Sequence, residues 1–185
     1  MVDVGFGGDG ATGPRPLVHA EISRNIGSQE MRLMHEYMDA QTVRDDEKQK
    51  MWVYQYRNSP EMAWTAFYAF TETEFLDQDL RVMNHFTALT SFQPVTVLAV
   101  KFLRRVEQDD AGKAVTDKDG KVERIHGKVM LVQGVFKIND GGKTRVVEDC
   151  KNEDDRIKAL EKWFGLRLTE QQRNGMRGYC TELTS

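Results

Sequence analysis

The sequence contains few cysteines and no long hydrophobic run. Its two cysteines, Cys150 and Cys180, form no C-x-x-C pair and allow at most one disulfide, which favours a reducing compartment. No stretch reaches the roughly 18 consecutive apolar residues of a transmembrane helix, so we expect no membrane partner. A secretory signal would need a basic and then an apolar region, whereas the first ten residues hold Asp3 and a glycine cluster. We therefore expect a cytoplasmic protein.

The charge balance also argues against some partners. Lysine and arginine number 26 against 29 acidic residues, a net charge of −3, and no basic stripe offsets it. Nucleic acid is therefore not expected as the main partner. The four histidines form no pair with metal-ligand spacing, so we expect no metal site; they are His19, His35, His85 and His126.

What is present points to a globular protein of mixed structure. The 185 residues, 39% hydrophobic and 30% charged, are enough for one domain or for two small ones. Aromatic and β-branched segments between polar turns predict strands at Met31–Tyr37, Met51–Tyr56, Ala63–Phe70 and Val95–Leu103, the last of them buried. Further along, Val122–Val135 predicts a strand pair or one bent strand, and Asn139–Gly142 a hairpin turn.

Apolar spacings of three and four residues predict two helices. The first covers Glu72–Leu89, with Thr71 or Thr73 as its cap. The second covers 152–164, with Asn152 as its cap and acidic residues in its first turn. A short last helix is expected to start at Thr169.

The chain begins with a short strand, Val2–Phe6, that runs into a glycine-rich turn. Residues 5–10 match G-x-G-x-x-G, but Pro14 and Pro16 follow where a dinucleotide site needs a helix to begin. Two readings remain for Asp3 in this strand. Its carboxylate either faces solvent or the following turn, or it orients a histidine in an active site.

Three stretches carry a resemblance to a known family. Asp3-Val-Gly-Phe-Gly7 resembles the Asp-x-Gly-Phe-Gly signature of the arylamine N-acetyltransferases. The stretch from Asp79 to Asn84, followed by Ser91-Phe92, resembles the segment that leads into the third domain of that family. Later segments resemble the C-terminal hairpins and helix of its fungal branch: 127–132, 141–144 and 159–168. The resemblance covers nearly all 185 residues, but only the later part of a full-length family member.

The resemblance implies an α+β fold. It is a partial β-barrel followed by an α/β lid, part of a cysteine-protease-like transferase fold lacking its N-terminal helical domain. Residues 1–73 would be the later barrel strands, 74–94 a connecting helix and loop, and 95–185 the lid. Open barrel edges of this kind would favour self-association.

The resemblance also implies a reaction and a site. In the family a Cys-His-Asp triad takes an acyl group from acetyl-CoA or another acyl-CoA and passes it to an arylamine or hydrazine, a step of xenobiotic metabolism. Asp3 would be the triad aspartate, Phe6 with Gly5 and Gly7 would line the acceptor pocket, and Thr90 and Ser91 would lie near CoA.

The family's cysteine and histidine precede the aspartate, and no residue here takes their place. Arg177-Gly-Tyr-Cys180 lies after Asp3 and near the C-terminus, so we do not expect Cys180 to be the nucleophile. The chain as given is therefore expected to be inactive. Three hypotheses stay open: a truncated reading of an enzyme gene, a non-catalytic remnant that retains partial binding, and an unrelated β-rich interaction domain.

Overall fold

The computed structural model describes Met1 and residues 8–184, and it contains strands and helices in mixed order. The predicted strand Val2–Phe6 lies outside the described residues. The elements are β1 Ser23–Arg24, β2 Glu30–Glu36, β3 Met51–Arg57, β4 Thr65–Phe70, α1 Asp77–Leu89, β5 Leu98–Val106, β6 Thr116–Asp117, β7 Gly120–Lys121, β8 Glu123–Val132, β9 Val135–Asp140, β10 Thr144–Asp149, α2 Glu153–Phe164 and α3 Glu170–Gly175.

The first sheet has the strand order β1-β2-β3-β4, and each neighbouring pair is antiparallel. The register places Leu33 opposite Tyr54, so one face carries a cluster of buried side chains. That cluster consists of Met31, Leu33, Trp52 and Tyr54. The three strands predicted between residues 31 and 70 are confirmed, with ends that move by one or two residues.

The second sheet has the order β10-β9-β8-β5, and α2 contributes Ala159 to its core. The buried residues of this core are Leu131, Phe136, Cys150 and Ala159. Both sheets are open among the residues described. Sheets and helices in mixed order make this an α+β fold, as predicted.

Helix α2 begins at its predicted cap and ends at the predicted residue. The Asn152 side chain accepts a hydrogen bond from the backbone N–H of Asp155 at 2.9 Å, and three acidic residues follow in the first turn. Gly165 ends the helix in the left-handed conformation, with φ of 75°, which glycine adopts at no steric cost. The predicted cap is confirmed.

Helix α1 starts later than predicted, and neither threonine caps it. Its N-cap is Leu76, whose backbone N–H donates to the carboxylate of Asp79 at 2.9 Å. Glu72 is kept out of the helix because its carboxylate accepts a bond from the indole of Trp52 at 2.8 Å. The following strand begins at Leu98 instead of Val95, since Gln93–Val95 forms a 3-10 turn.

The apolar face of α1 is not covered. No residue of the helix is buried, and its predicted apolar positions are more than half exposed. The exposed apolar side chains of this stretch are Phe75, Leu76, Leu80, Val82, Met83, Phe86, Leu89, Phe92, Val95 and Leu98. Strand β5 also departs from the prediction of a buried strand, because none of its residues is fully buried.

Two compact units account for the chain. One comprises residues 1–73, 104–127 and 140–142, and the other comprises 74–103, 128–139 and 143–185. The first unit contains the strands β1 to β4 of the first sheet, and the second contains the α-helices α1, α2 and α3.

Candidate functional site

The predicted site begins in residues the structure does not describe. Asp3, Gly5, Phe6 and Gly7 lie outside the described residues, so their predicted roles stay predictions. The loop that follows them, from Gly8 onward, is described. It shows what holds the end of the glycine-rich turn in place.

A buried polar network anchors this loop. The Asn25 side-chain nitrogen lies within hydrogen-bonding distance of three acceptors, the carbonyl of Gly10 at 3.0 Å, the side-chain oxygen of Gln29 at 2.7 Å and the hydroxyl of Tyr54 at 3.2 Å, which share its two N–H donors. Its own oxygen accepts the backbone N–H of Thr12 at 2.9 Å. Asn25, Gln29 and Tyr54 are 6%, 4% and 0% exposed, so these bonds are formed away from water.

Two further bonds hold Asp9, the second residue after the motif. Tyr54 donates its hydroxyl proton to the carbonyl of Asp9 at 2.7 Å, and the Gln29 amide donates to the Asp9 carboxylate at 2.9 Å. Burial raises the pKa of the neighbouring Tyr56 phenol, and the Asp9 carboxylate raises it further. The turn between β1 and β2 therefore holds the loop through the side chains of Asn25 and Gln29, and strand β3 holds it through Tyr54.

The histidines occupy separate places in the described part of the chain. His19 accepts the backbone N–H of His35 on its Nδ1 at 2.9 Å, and His35 packs beside the Trp52 ring at 4.8 Å. His126 Nε2 lies 3.1 Å from the carboxylate of Asp140. His19, His35 and His126 are thus each in a local contact, and His85 is exposed on α1.

The two cysteines differ in environment, and neither has the surroundings of an activated nucleophile. Cys150 is 6% exposed, and burial raises the pKa of its thiol above the ordinary value of 9.0, with the Glu148 carboxylate adding to the effect. A thiol of this kind stays protonated at neutral pH and is a poor nucleophile. Cys180 is exposed, and its thiol faces the carbonyl of Pro94 at 3.8 Å.

The predicted CoA contacts, Thr90 and Ser91, lie at the C-terminal end of α1. The Thr90 hydroxyl donates to the carbonyl of Phe86 at 2.8 Å, and the Ser91 hydroxyl donates to that of Thr87 at 2.5 Å. Their protons are used to satisfy helix-end carbonyls. Their oxygens keep acceptor capacity, and their role toward CoA stays a prediction.

The first unit also contains a basic cavity that the sequence analysis did not find. It has a volume of about 340 Å³ and carries four arginines, Arg15, Arg24, Arg104 and Arg124, with Glu123 as its one acidic lining residue. The arginines come from distant parts of the chain. In the sequence these basic residues are widely spaced, so no local pattern indicated that they line one cavity.

Neither a metal-binding cluster nor a membrane-spanning helix is found among the residues described. Residues 8–184 and Met1 contain no group of three or more His, Cys, Asp or Glu side chains that would hold a metal ion. In the same part of the chain, no helix combines the length and the apolar character needed to cross a membrane.

Comparison with known proteins gives two related groups, although no family profile matches the chain. The chain is 31% identical over 183 residues to the N-malonyltransferase FDB2 of Fusarium pseudograminearum, and 32% identical over 179 residues to that of Gibberella moniliformis. Each match covers 95% of this chain and 49% or 48% of the relative. The chain therefore spans about half the length of the curated relatives it matches.

Solved structures show the same fold. The arylamine N-acetyltransferase of Salmonella typhimurium superposes with a TM-score of 0.61 at 21% identity, covering 94% of this chain and 54% of that one. The CoA complex of the Mycobacterium marinum arylamine N-acetyltransferase gives a TM-score of 0.60 at 18% identity, covering 94% and 52%. Together with the fungal relatives, these matches confirm the family relationship predicted from the Asp-x-Gly-Phe-Gly motif.

Proposed function

We propose that this chain, which is related to the arylamine N-acetyltransferase family, is part of an acyltransferase that moves an acyl group from an acyl-CoA to an aromatic amine or hydrazine. The observation that carries the proposal is the match to two N-malonyltransferases over 95% of the chain. Residues 1–73 then supply barrel strands, 74–94 the connection and 95–185 the lid over the substrates.

The proposed chemistry proceeds in two steps. A cysteine thiolate attacks the carbonyl carbon of acyl-CoA, and the bond to the CoA sulfur breaks. The acceptor nitrogen then attacks the resulting thioester, an amide bond forms, and the cysteine is released. Asp3 orients the histidine that moves the proton, Phe6 with Gly5 and Gly7 lines the acceptor pocket, and Thr90 and Ser91 lie near CoA.

We further propose malonyl-CoA as the preferred donor. The relatives that are about a third identical to this chain are named N-malonyltransferases, whereas the structures named N-acetyltransferases are 18–21% identical. A malonyl donor differs from an acetyl donor by a carboxylate. The enzyme therefore needs a cation or hydrogen-bond donor near the acyl group.

The nucleophile of this reaction is neither of the cysteines described. Cys150 is buried and protonated, and the charged groups nearest to Cys180 in sequence, Arg177 and Glu182, are of opposite sign. Loss of the nucleophile removes nearly all the rate of a triad enzyme. We therefore propose that the 185 residues alone bind CoA without turning it over, with the cysteine supplied by further polypeptide.

The exposed face of α1 supports this requirement for more polypeptide. Helices of water-soluble proteins bury their apolar stripe, yet Leu80, Met83 and Phe86 are 57%, 58% and 57% exposed. The relatives are about twice as long as this chain. We propose that polypeptide equivalent to their unmatched half packs on this face, and that without it the chain self-associates through this face and through β4, which is an edge strand among the residues described.

The test uses a chimera in which these 185 residues replace the matching half of the Fusarium N-malonyltransferase. We expect acyl transfer from malonyl-CoA, and we expect Asp3→Asn to lower the rate by about 10⁴-fold because the histidine loses its orientation. The matched control is Asp45→Asn, which changes an exposed carboxylate outside the proposed site and should have a far smaller effect. Far-UV circular dichroism of each variant checks that it is folded.

Three results would count against the proposal. Full activity of the Asp3→Asn chimera would remove Asp3 from the catalytic machinery. A folded 185-residue chain with no affinity for CoA would favour the alternative of a β-rich interaction domain. CoA binding with a folded but inactive chimera would favour the non-catalytic remnant.

A further inference from the structure

We propose that the basic cavity of the first unit binds the phosphates of CoA, its diphosphate and ribose phosphate, through Arg15, Arg24, Arg104 and Arg124. The inference rests on the proposed function, since it names where this chain holds the proposed donor. The cavity, about 340 Å³ in volume, is lined by residues 12–15, 24–25, 104 and 123–125, all of them in one unit.

The charge of the cavity is opposite to that of the whole chain. The protein carries a net charge of −3, whereas the cavity is lined by four arginines and a single acidic residue, Glu123; one of the arginines, Arg124, is paired with the Glu107 carboxylate. Four like charges around a small space repel one another, and an anion placed between them relieves that repulsion. Arginine suits phosphate in particular, because its planar fork of N–H donors matches two phosphate oxygens at once.

Contacts within the protein position three of the four guanidinium groups and use only some of their N–H donors. Arg15 donates a terminal N–H to the carbonyl of Arg24 at 2.7 Å, and its buried Nε has no partner among the described residues. Arg24 donates its Nε–H to the carbonyl of Gly27 at 2.7 Å, and the Nε of Arg124 pairs with Glu107. Each of these guanidinium groups has five N–H donors, so further donors are available to a ligand.

The wall of the cavity is held by the same network that anchors the loop after the family motif. Thr12 is bonded through its backbone N–H to the buried Asn25 side chain at 2.9 Å. At the other end of this wall, the backbone N–H of Arg15 donates to the carbonyl of Met1 at 2.9 Å. A phosphate bound here would therefore lie against the loop that leads out of the predicted site at Asp3.

The test measures CoA binding to the 185-residue chain by isothermal titration calorimetry, with pantetheine, dephospho-CoA and inorganic pyrophosphate as comparison ligands. We expect CoA to bind, dephospho-CoA to bind more weakly, and pantetheine, which has no phosphate, not to bind. Affinity should fall as salt is raised, since the guanidinium groups are partly exposed.

Two substitutions of opposite sign make the test specific. Arg104→Gln removes one cation and should weaken CoA binding about tenfold, the effect of one charge-assisted bond. Glu123→Gln removes the carboxylate and should tighten binding several-fold. The matched control is Arg145→Gln, another exposed strand arginine, which lies outside the cavity and should change the affinity little.

Equal CoA affinity of the wild-type and Arg104→Gln chains would overturn the inference and leave the proposed function intact. An inactive chimera whose 185-residue chain still binds CoA through Arg104 would overturn the proposed function and leave the inference about the cavity intact. Pyrophosphate that binds as tightly as CoA would make a free anion the occupant and would also overturn the assignment.

Discussion

The polar network around Asn25 gives the sharpest prediction about stability. Asn25→Ala removes the side-chain bonds to Gly10, Gln29 and Tyr54 and the acceptor of the Thr12 N–H. A net hydrogen bond contributes about 1 kcal/mol, and a buried partner left unpaired costs about 1–3 kcal/mol. The Gln29 side chain and the Tyr54 hydroxyl can turn toward other groups, whereas the two backbone partners cannot. We therefore expect a loss of about 3 kcal/mol in the free energy of unfolding.

The assay is urea unfolding followed by tryptophan fluorescence, because Trp52 lies in the same sheet as Tyr54 and is 7% exposed. An unchanged m value would show that the variant alters stability and not the compactness of the unfolded chain. The matched control is Asn174→Ala, an exposed asparagine on α3, which should change stability by less than about 0.5 kcal/mol.

If these side chains act as one network, the same unfolding experiment should also show that their contributions to stability depend on one another. Asn25 and Gln29 are joined by a bond of 2.7 Å, so the losses from Asn25→Ala and Gln29→Ala should not add. We expect the double variant to deviate from additivity by at least about 0.5 kcal/mol. Strictly additive losses, or a loss below about 1 kcal/mol for Asn25→Ala, would refute the argument that the network holds the loop.

Three other predictions concern the remaining parts of the molecule. Phe136→Ala, at a side chain with 0% exposure, should cost about 3–5 kcal/mol in urea unfolding, whereas Phe86→Ala, at one that is 57% exposed, should cost far less and should reduce self-association in analytical ultracentrifugation. Iodoacetamide should modify Cys180 in the native chain and Cys150 only after unfolding, as mass spectrometry of digests can show. The Glu148 carboxylate accepts hydrogen bonds from the side chains of a lysine and a tryptophan on α2, and these bonds lower its pKa below the ordinary value of 4.5. Because the pKa is lowered in the folded state, the ionised carboxylate stabilises the protein at pH values above 4.5. The wild type should therefore be more stable than Glu148→Gln by less than about 1 kcal/mol at neutral pH, and unfolding curves in the acid range should show this difference vanish as the pH falls through the lowered pKa.

Features set by neighbouring residues were predicted well. The cap at Asn152, the acidic first turn and the end of α2 depend on contacts within one helix, so the sequence pattern was sufficient. The same is true of the short helix at Thr169, whose hydroxyl accepts from the N–H of Gln172. Alternating aromatic residues likewise located β2, β3 and β4.

The start of α1 was missed because tertiary partners competed with the helix. The sequence suggested Glu72 as an acidic residue of the first helical turn. Its carboxylate instead accepts a hydrogen bond from the indole of Trp52, twenty residues away in the sequence, and the carboxylate of Asp79 accepts the backbone N–H of Leu76 at the start of the helix. The apolar spacing did predict a helix in this stretch, found at Asp77–Leu89. It carried no information on whether the apolar face of the helix would be covered within these 185 residues, and it is not.

The sequence by itself determined the family relationship, the α+β class and the candidate Asp3, because a contiguous motif and local periodicity are properties of neighbouring residues. Only the tertiary structure decided which polar groups hold the loop after that motif, and that four arginines would share one cavity. Arg15 and Arg24 come from one end of the chain, and Arg104 and Arg124 come from a region some eighty residues later. Arg104 and Arg124 lie on the neighbouring strands β5 and β8, and the backbone N–H of Gly27, close to Arg24 in sequence, donates to the carbonyl of Ile125. Nothing in the spacing of such distant residues reports their distance in space.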